Sequence, residues 1–302
     1  MQGSYEQGKG QRVQVKETHK TKEEMSDLAR KIDFAIKLLR SIPQDGPIEL
    51  SYSGGKDSDV ILELAKMSGI PFEAIYKNTS IDPPGTIAHC KENGVTIMPP
   101  TMTFFRLVEK KGIPTRRARF CCEVLKEYPI HGRAIQGIRK CESTARAKRY
   151  NKGPEICRLY SGKPCVQVYL PILEWTNDDV AQFIEDRGIK CHPLYYDDNG
   201  QFHVERRLGC IGCPLKSDCG KSDYLRYPGM LKRLIISGKK YLDTHPNCSA
   251  KKKFGTTYNM VFHNLFTKSY EDYLGYVNPI MPDSAIDPKA FLEDYFKIDL
   301  TI

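Results

Sequence analysis

Ser51-Tyr52-Ser53-Gly54-Gly55-Lys56-Asp57-Ser58 follows the alternating stretch Pro47-Ile48-Glu49-Leu50 and leads straight into Asp59-Val60-Ile61-Leu62-Glu63-Leu64-Ala65-Lys66. The first flank alternates as a strand does, and the second carries an apolar helical face. A strand that turns through Ser53, Gly54 and Gly55 into a helix leaves several backbone N–H groups pointing at one spot. The helix N-terminus adds partial positive charge there, so an anion is stabilised. Glycines let a phosphate approach the backbone closely. Lys56 supplies a point charge, while Asp57 and Ser58 can cap the helix or orient the anion. The spacing is not that of a Walker A loop, because Gly-x-x-x-x-Gly-Lys-Ser/Thr is absent.

Outward from this turn, strand and helix patterns alternate. Residues 22–39 read as a helix, with Met25, Leu28, Ile32, Ile36 and Leu39 on one face. Strands are predicted at 48–53, 71–76, 95–98, 131–139 and 166–172. Helices are predicted at 58–67, 86–93 and 104–111, and again from Thr176 or Asn177, whose side chain caps a first turn rich in acids. This order predicts an α/β fold with a doubly wound, mainly parallel sheet. In such sheets ligands bind at the carboxyl ends of the strands, where the 53–58 turn lies. Beyond Cys219 the pattern changes to helices and aromatics. The expected organisation is a flexible segment at 1–20, an α/β domain with the loop and the paired cysteines at 21–219, and a helical C-terminal extension at 220–302.

A chain of 302 residues has room for that arrangement. No run is apolar enough to span a membrane, and Met1 to Thr21 is polar, so the expected location is the cytoplasm with no membrane partner. The net charge of +9 fits anionic partners, nucleotides or nucleic acid. Basic residues cluster at Arg116-Arg117-Ala118-Arg119, Arg146-Ala147-Lys148-Arg149, Arg206-Arg207, Lys239-Lys240 and Lys251-Lys252-Lys253. A solvated surface explains any one of these, and charge alone does not decide.

Eleven cysteines in a chain read as cytoplasmic point to metal or redox chemistry rather than to disulfides. Cys121 and Cys122 are adjacent, Cys210-Ile211-Gly212-Cys213 is a Cys-x-x-Cys pair, and Cys219 follows. Cys90, Cys141, Cys157, Cys165, Cys191 and Cys248 stand alone and are read mostly as buried small hydrophobes. Four thiolates in two close pairs suit a tetrahedral metal or a 4Fe–4S cluster. Neighbouring residues do not easily aim two thiolates at one small ion, which shifts the balance from zinc toward a cluster.

With these motifs in hand, the chain resembles the adenylyl-sulfate and phosphoadenylyl-sulfate reductase family of the adenine-nucleotide α-hydrolase (PP-loop) superfamily. The resemblance runs from about Glu49 to Cys219. It includes the Ser-Gly-Gly-Lys-Asp-Ser loop, Arg119-Phe120-Cys121-Cys122, and Gly137-Ile138-Arg139-Lys140-Cys141-Glu142-Ser143. It continues through Leu170-Pro171-Ile172-Leu173-Glu174-Trp175-Thr176, His192-Pro193-Leu194-Tyr195 and Gly209-Cys210-Ile211-Gly212-Cys213-Pro214. It implies that Ser53, Gly54, Gly55, Lys56, Asp57, Ser58, Gly137, Arg139 and Arg146 bind an adenine nucleotide, either ATP with Mg²⁺ or an adenylyl sulfate. Lys56, Asp57 and Arg139 are the expected catalytic residues. Arginine suits such contacts because its planar fork holds phosphate or sulfate oxygens in pairs. The resemblance further implies a 4Fe–4S cluster on Cys121, Cys122, Cys210 and Cys213, with Cys219 as an alternative ligand.

Two departures bear on the activity. Reductases of the family carry a nucleophilic cysteine in a C-terminal Glu-Cys-Gly-Leu/Ile-His motif, whereas this sequence has no cysteine after Cys248. The second strand ends in Asn78-Thr79-Ser80 where the family has Asp-Thr-Gly. The favoured expectation is therefore an ATP pyrophosphatase that activates a substrate for sulfur transfer, for example nucleic-acid thiolation or phosphorothioation. Its partners would be a nucleic acid or a sulfur-donor protein, and a homo-oligomer is expected. One alternative is a thiol-dependent reductase that forms sulfite, with Cys248 as a displaced nucleophile. Another is a nucleic-acid-binding or scaffolding protein that retains a structural metal without turnover.

Overall fold

The computed structural model describes residues 22–159 and 165–301. Its strands are β1 (Ile48–Tyr52), β2 (Glu73–Lys77), β3 (Thr96–Met98), β4 (Arg133–Ile135), β5 (Glu155–Arg158) and β6 (Val166–Tyr169). Among the described residues they form one six-stranded sheet in the order β3-β2-β1-β4-β6-β5. β1 lies parallel to both β2 and β4, with Ser51 level with Ile75 and Leu50 level with Ile135. β6 runs parallel to β4, and β5 lies antiparallel on β6 at the sheet edge. The mainly parallel α/β sheet read from the sequence is present.

Two predicted strands are shorter than expected. β4 stops at Ile135 because the chain then packs Gly137 against the first turn of the helix that begins at Lys56, where a Cβ would sit 2.8 Å from the Asp57 carbonyl oxygen. β6 stops before Pro171, which has no N–H for a ladder. β5 was not anticipated, since four residues give too short a window for periodicity.

The helices are α1 (Lys22–Arg40), α2 (Lys56–Ser68), α3 (Thr86–Glu92), α4 (Phe104–Lys111), α5 (Phe120–Leu125), α6 (Thr144–Arg149) and α7 (Asn177–Arg187). They continue as α8 (Lys221–Arg226), α9 (Pro228–Thr244), α10 (Ser249–Phe254), α11 (Thr257–Phe266), α12 (Tyr270–Val277) and α13 (Pro288–Phe296). Thr176 and Asp179 form the capping box that starts α7, and Gly188 ends it in the left-handed region. No helix among the described residues is long and apolar enough to cross a membrane. The segment 1–20, expected to be flexible, lies outside the described residues.

Of the three apolar clusters among the described residues, two carry most of the packing around the site. The first joins β1 to α1, α2 and α7 through Leu39, Leu50, Ile61, Leu64 and Phe183. The second joins α4 and α5 to the C-terminal helices through Leu107, Val108, Leu125, Leu231, Ile235 and Leu292. At about 1.5–3 kcal/mol for each fully buried aliphatic side chain, the second core anchors 220–301 firmly to α4 and α5.

One expectation is corrected here. Cys157 in β5 and Cys165 just ahead of β6 are joined as a disulfide. Their spacing looks unremarkable until an antiparallel pairing that the sequence pattern did not show folds the two ends together. The solitary cysteines also differ among themselves: Cys90 and Cys191 are buried, but Cys141 is exposed.

Candidate functional site

β1 delivers the chain to Gly54, which takes a left-handed φ of +77°, and extended Gly55 then caps α2. A Cβ on Gly54 would lie 3.0 Å from Thr86 Cγ2, so both conformation and close approach require glycine. Ser58 tightens the turn, its Oγ donating to the Gly55 carbonyl at 2.6 Å and its N–H to the same oxygen at 2.8 Å. The Gly55 N–H donates to Ser53 Oγ at 3.4 Å.

A cavity of about 330 Å³ opens over this turn. Ser53, Gly55, Lys56, Asp57, Ser58, Gly137 and Arg146 line it, which brings together most of the nucleotide-contacting set expected from the sequence. Gly54 forms the bend behind them. Lys56 is 4% exposed, with Nζ 3.5 Å from both Asp57 Oδ2 and the Arg206 carbonyl. Burial pulls its pKa down, Asp57 counters, and Arg139 adds to the depression. Arg146 is lowered too, first by burial and then by Arg207, although it contacts Glu142. Lys56, Arg146 and Arg207 are thus crowded together, and an arriving anion relieves both desolvation and repulsion.

Arg139 is placed differently from the expectation that it reaches the ligand. It is 1% exposed and does not line the cavity. Its Nε donates to Asp57 Oδ1 at 2.8 Å, and its Nη1 donates to Asn177 Oδ1 and Cys141 Sγ, each at 3.0 Å. It holds Asp57 from behind. Sequence reasoning missed Gln136, Tyr195 and Arg207 as wall residues. Tyr195 and Arg207 lie in stretches already singled out, but nothing in their spacing told which side chains turn inward.

A second cavity, about 150 Å³, shares Ser51, Ser53 and Gln136 with the first. It extends over the sheet face toward Tyr128 and Arg158. Its floor holds a buried ion pair, Lys77 Nζ to Glu49 Oε1 at 2.7 Å, and Lys77 also donates to the Tyr128 carbonyl at 2.6 Å. Beyond β2, Asn78 Oδ1 accepts the Ser80 N–H at 2.8 Å, and Ser80 sits at φ +64°. Serine therefore keeps the left-handed bend that the Gly of the Asp-Thr-Gly pattern would give.

The third cavity, about 30 Å³, lies between α5 and the 210–214 loop, and Cys121, Cys122, Cys210 and Cys213 all line it. Lys126 lines both this cavity and the second. Burial opposes its charge, but Cys210 and Asp82 (Oδ1 at 3.3 Å) outweigh that and hold its pKa above the usual lysine value. A hydrogen bond from Cys121 holds the Cys122 pKa below the usual thiol value and raises that of Cys121. Arg116 clamps the two cysteine segments, donating to the carbonyls of Pro214 at 2.8 Å and Lys216 at 2.6 Å. Among the described residues, no group of three His, Cys, Asp or Glu side chains is arranged to hold a metal ion. Cys219 and Cys248 line none of these three cavities. Cys248 caps α10, its Sγ accepting the Lys251 N–H at 3.3 Å.

A glycine turn at the carboxyl end of the central strand, opening on a cationic cavity, defines a nucleotide-binding α/β protein of the PP-loop type. The chain belongs to the phosphoadenosine phosphosulfate reductase domain family, whose pattern matches residues 47–216. It is similar to an uncharacterized protein of Methanocaldococcus jannaschii, 30% identical over 215 residues that cover 64% of this chain and 48% of that one. It is also similar to the phosphoadenosine 5′-phosphosulfate reductase of Vibrio campbellii, 33% identical over 97 residues, 31% of this chain and 32% of that one. The chain thus spans half or less of the length of these two relatives. Among solved structures it is similar to a U34-tRNA thiolase from Methanococcus maripaludis, described with its [4Fe-4S] cluster. That match has a TM-score of 0.39 and 16% identity, and covers 76% of this chain and 83% of that one.

Proposed function

We propose that this protein is a PP-loop enzyme that binds an adenine nucleotide along the first two cavities and activates a substrate for sulfur transfer. The observation that carries this reading is the continuity of the groove. Ser51, Ser53 and Gln136 join the first cavity to the second, and Lys126 joins the second to the cysteine cavity. An activated group formed at the phosphate end would lie on a path toward four thiols.

The chemistry would be attack of a substrate oxygen on the α-phosphate of ATP, with Mg²⁺ arriving on the nucleotide. Lys56 and the N-terminus of α2 stabilise the charge on the departing pyrophosphate. Arg146 and Arg207 neutralise the remaining phosphate oxygens. Arg139 keeps Asp57 fixed at the mouth, and so acts as a positioning residue.

Four thiols on one cavity, two of them adjacent, are by their chemistry a donor set for a 4Fe–4S cluster, and they would have to draw together around it. Cys121, Cys122, Cys210 and Cys213 would hold it, and when bound it would supply a place to carry or donate sulfur. The basic rim at Arg146 and Arg207 suits a nucleic-acid acceptor.

The test is anaerobic turnover of cluster-reconstituted protein offered ATP, adenylyl sulfate and phosphoadenylyl sulfate separately, with pyrophosphate and sulfite both measured. Pyrophosphate from ATP without sulfite is the expected result. Thiol-dependent sulfite from either adenylyl sulfate would overturn it in favour of a reductase. No product from any of the three, with salt-sensitive nucleic-acid binding, would favour a scaffold.

A further inference from the structure

Among the described residues β5 pairs on one side, antiparallel to β6, and the disulfide between Cys157 and Cys165 ties the two strands together. The two residues lie eight positions apart with 5.9 Å between their Cα atoms, and both are exposed to solvent. The register sets Arg158 level with Val166, and these two line the 150 Å³ cavity. Successive strand residues face opposite ways, so Cys157 and Cys165, each one position away, lie on the other face of the sheet. The bond therefore bears on the shape of the cavity wall and not on its contents.

The wall continues inward through ion pairs. Arg158 Nη2 donates to Glu127 Oε2 at 3.1 Å, and Arg119 Nη2 donates to Glu127 Oε1 at 2.9 Å. Arg119 stands directly before α5, which carries Cys121 and Cys122. One solvent-facing bond at the sheet edge thus supports the nucleotide cavity and, through Glu127, the helix bearing the first cysteine pair.

We propose that Cys157 and Cys165 form a reversible dithiol/disulfide modification site whose disulfide form holds the cavity wall in its binding shape. The partner is an external dithiol, protein or small molecule. Its thiolate attacks one sulfur and breaks the Cys157–Cys165 bond, giving a mixed disulfide. Its second thiol then displaces the enzyme sulfur. Two electrons and two protons pass to the pair, which ends as two thiols, and the external dithiol ends as a disulfide. Exposure gives the attacking thiolate access, and an edge strand with one neighbour has few other bonds to keep it in place. The effect on nucleotide binding rests on the function proposed above.

The test compares oxidised protein, dithiothreitol-reduced protein and a Cys157→Ser/Cys165→Ser double variant, all without oxygen. The readouts are iodoacetamide labelling, hydrogen exchange, and affinity for α,β-methylene ATP with Mg²⁺. Labelling of these two cysteines should need prior reduction. Reduction should speed exchange in 126–136 as well as in 155–159 and 165–169, and weaken affinity by roughly fivefold or more. The double variant should match the reduced protein and ignore oxidant. Equal affinity in both states, with exchange altered only around β5 and β6, would overturn the coupling. Labelling without reduction would overturn the bond itself. If neither state binds the analogue while exchange at 126–136 still follows the redox state, the clip stands and the nucleotide reading falls.

Discussion

The glycine turn takes its bend, its glycines and its lysine from one run, residues 53–58, whereas the cysteine cavity draws its thiols from two segments joined by the second core and by Arg116. At the cradle, the β1–α2 junction sets the geometry locally, and the stored energy is electrostatic: Lys56 and Arg146 are both desolvated and crowded by like charge. At the other end the walls are mostly apolar, with Phe104, Leu125 and Pro214 around the sulfurs. Arg116 ties the segments together through the Pro214 and Lys216 carbonyls. A ligand at the first end relieves repulsion. A ligand at the second would replace packing contacts and thiol hydrogen bonds. The two ends should therefore fail independently, apart from the link that Lys126 provides.

The strongest way to break that comparison is Arg139→Met. The guanidinium is the buried partner of Asp57 and also reaches Asn177, so its removal leaves the Asp57 carboxylate with the longer, 3.5 Å contact to Lys56. Loss of one partner of a buried pair costs roughly 3–5 kcal/mol. Urea unfolding should show a loss of that size, while cysteine alkylation at the far end, measured on the folded fraction, stays as in the parent. A loss below about 1 kcal/mol, typical of exposed pairs, would mean that the 53–58 turn fixes Asp57 without help.

A second pair of variants sharpens the independence directly. Lys56→Met removes the one ammonium in the cradle and should lower pyrophosphate formation by roughly 10²–10³-fold, the usual loss for a preorganised charge-stabilising donor. Its iron content after reconstitution should equal that of the parent. Cys213→Ser should do the reverse, losing iron while retaining affinity for α,β-methylene ATP with Mg²⁺. If Lys56→Met also lost iron, Lys126 would be coupling the ends more tightly than the separate cores suggest.

The same contrast explains what was legible in the sequence. Residues 53–58 declare themselves because strand, bend and helix are contiguous, and the alternation that surrounds them is enough to give a mainly parallel sheet. The paired cysteines were visible by their spacing, but their meeting on one cavity depends on α4, α5 and α9 packing together, which periodicity does not encode. Arg139 counts among the nucleotide contacts through the family resemblance, not through any local pattern. Its burial behind Asp57 follows from the close approach at Gly137, a tertiary fact. β5 and its disulfide were missed for a related reason. Four residues at an edge carry too little pattern to show, and two exposed cysteines say nothing of one another until the hairpin closes.

The smallest expected effect concerns His192, which braces the cradle from outside it. It is fully buried, its Nδ1 accepts the Leu194 N–H at 3.1 Å, and its Nε2 lies 3.4 Å from Thr86 Oγ1. Thr86 Oγ1 already donates to the Pro83 carbonyl at 2.8 Å, so Nε2 must carry the proton and donate to it. The ring is then neutral, and a second proton on Nδ1 would meet the Leu194 N–H head-on. Burial, with His89 adding to it, accordingly pulls the His192 pKa from 6.5 to about 4. Between those values the unfolded chain binds a proton that the folded one refuses. Stability from this residue is complete above pH 6.5 and falls as the pH drops toward 4, by about 2 kcal/mol at pH 5 and roughly 3 in all. His192→Gln keeps an amide donor for Thr86 but cannot titrate, so its urea midpoint should fall less than the parent's between pH 7 and pH 5. Parallel profiles would mean that His192 is not the source of the acid sensitivity. Because Thr86 packs on Gly54, a genuine His192 effect should weaken nucleotide affinity in step with stability and leave the thiols untouched.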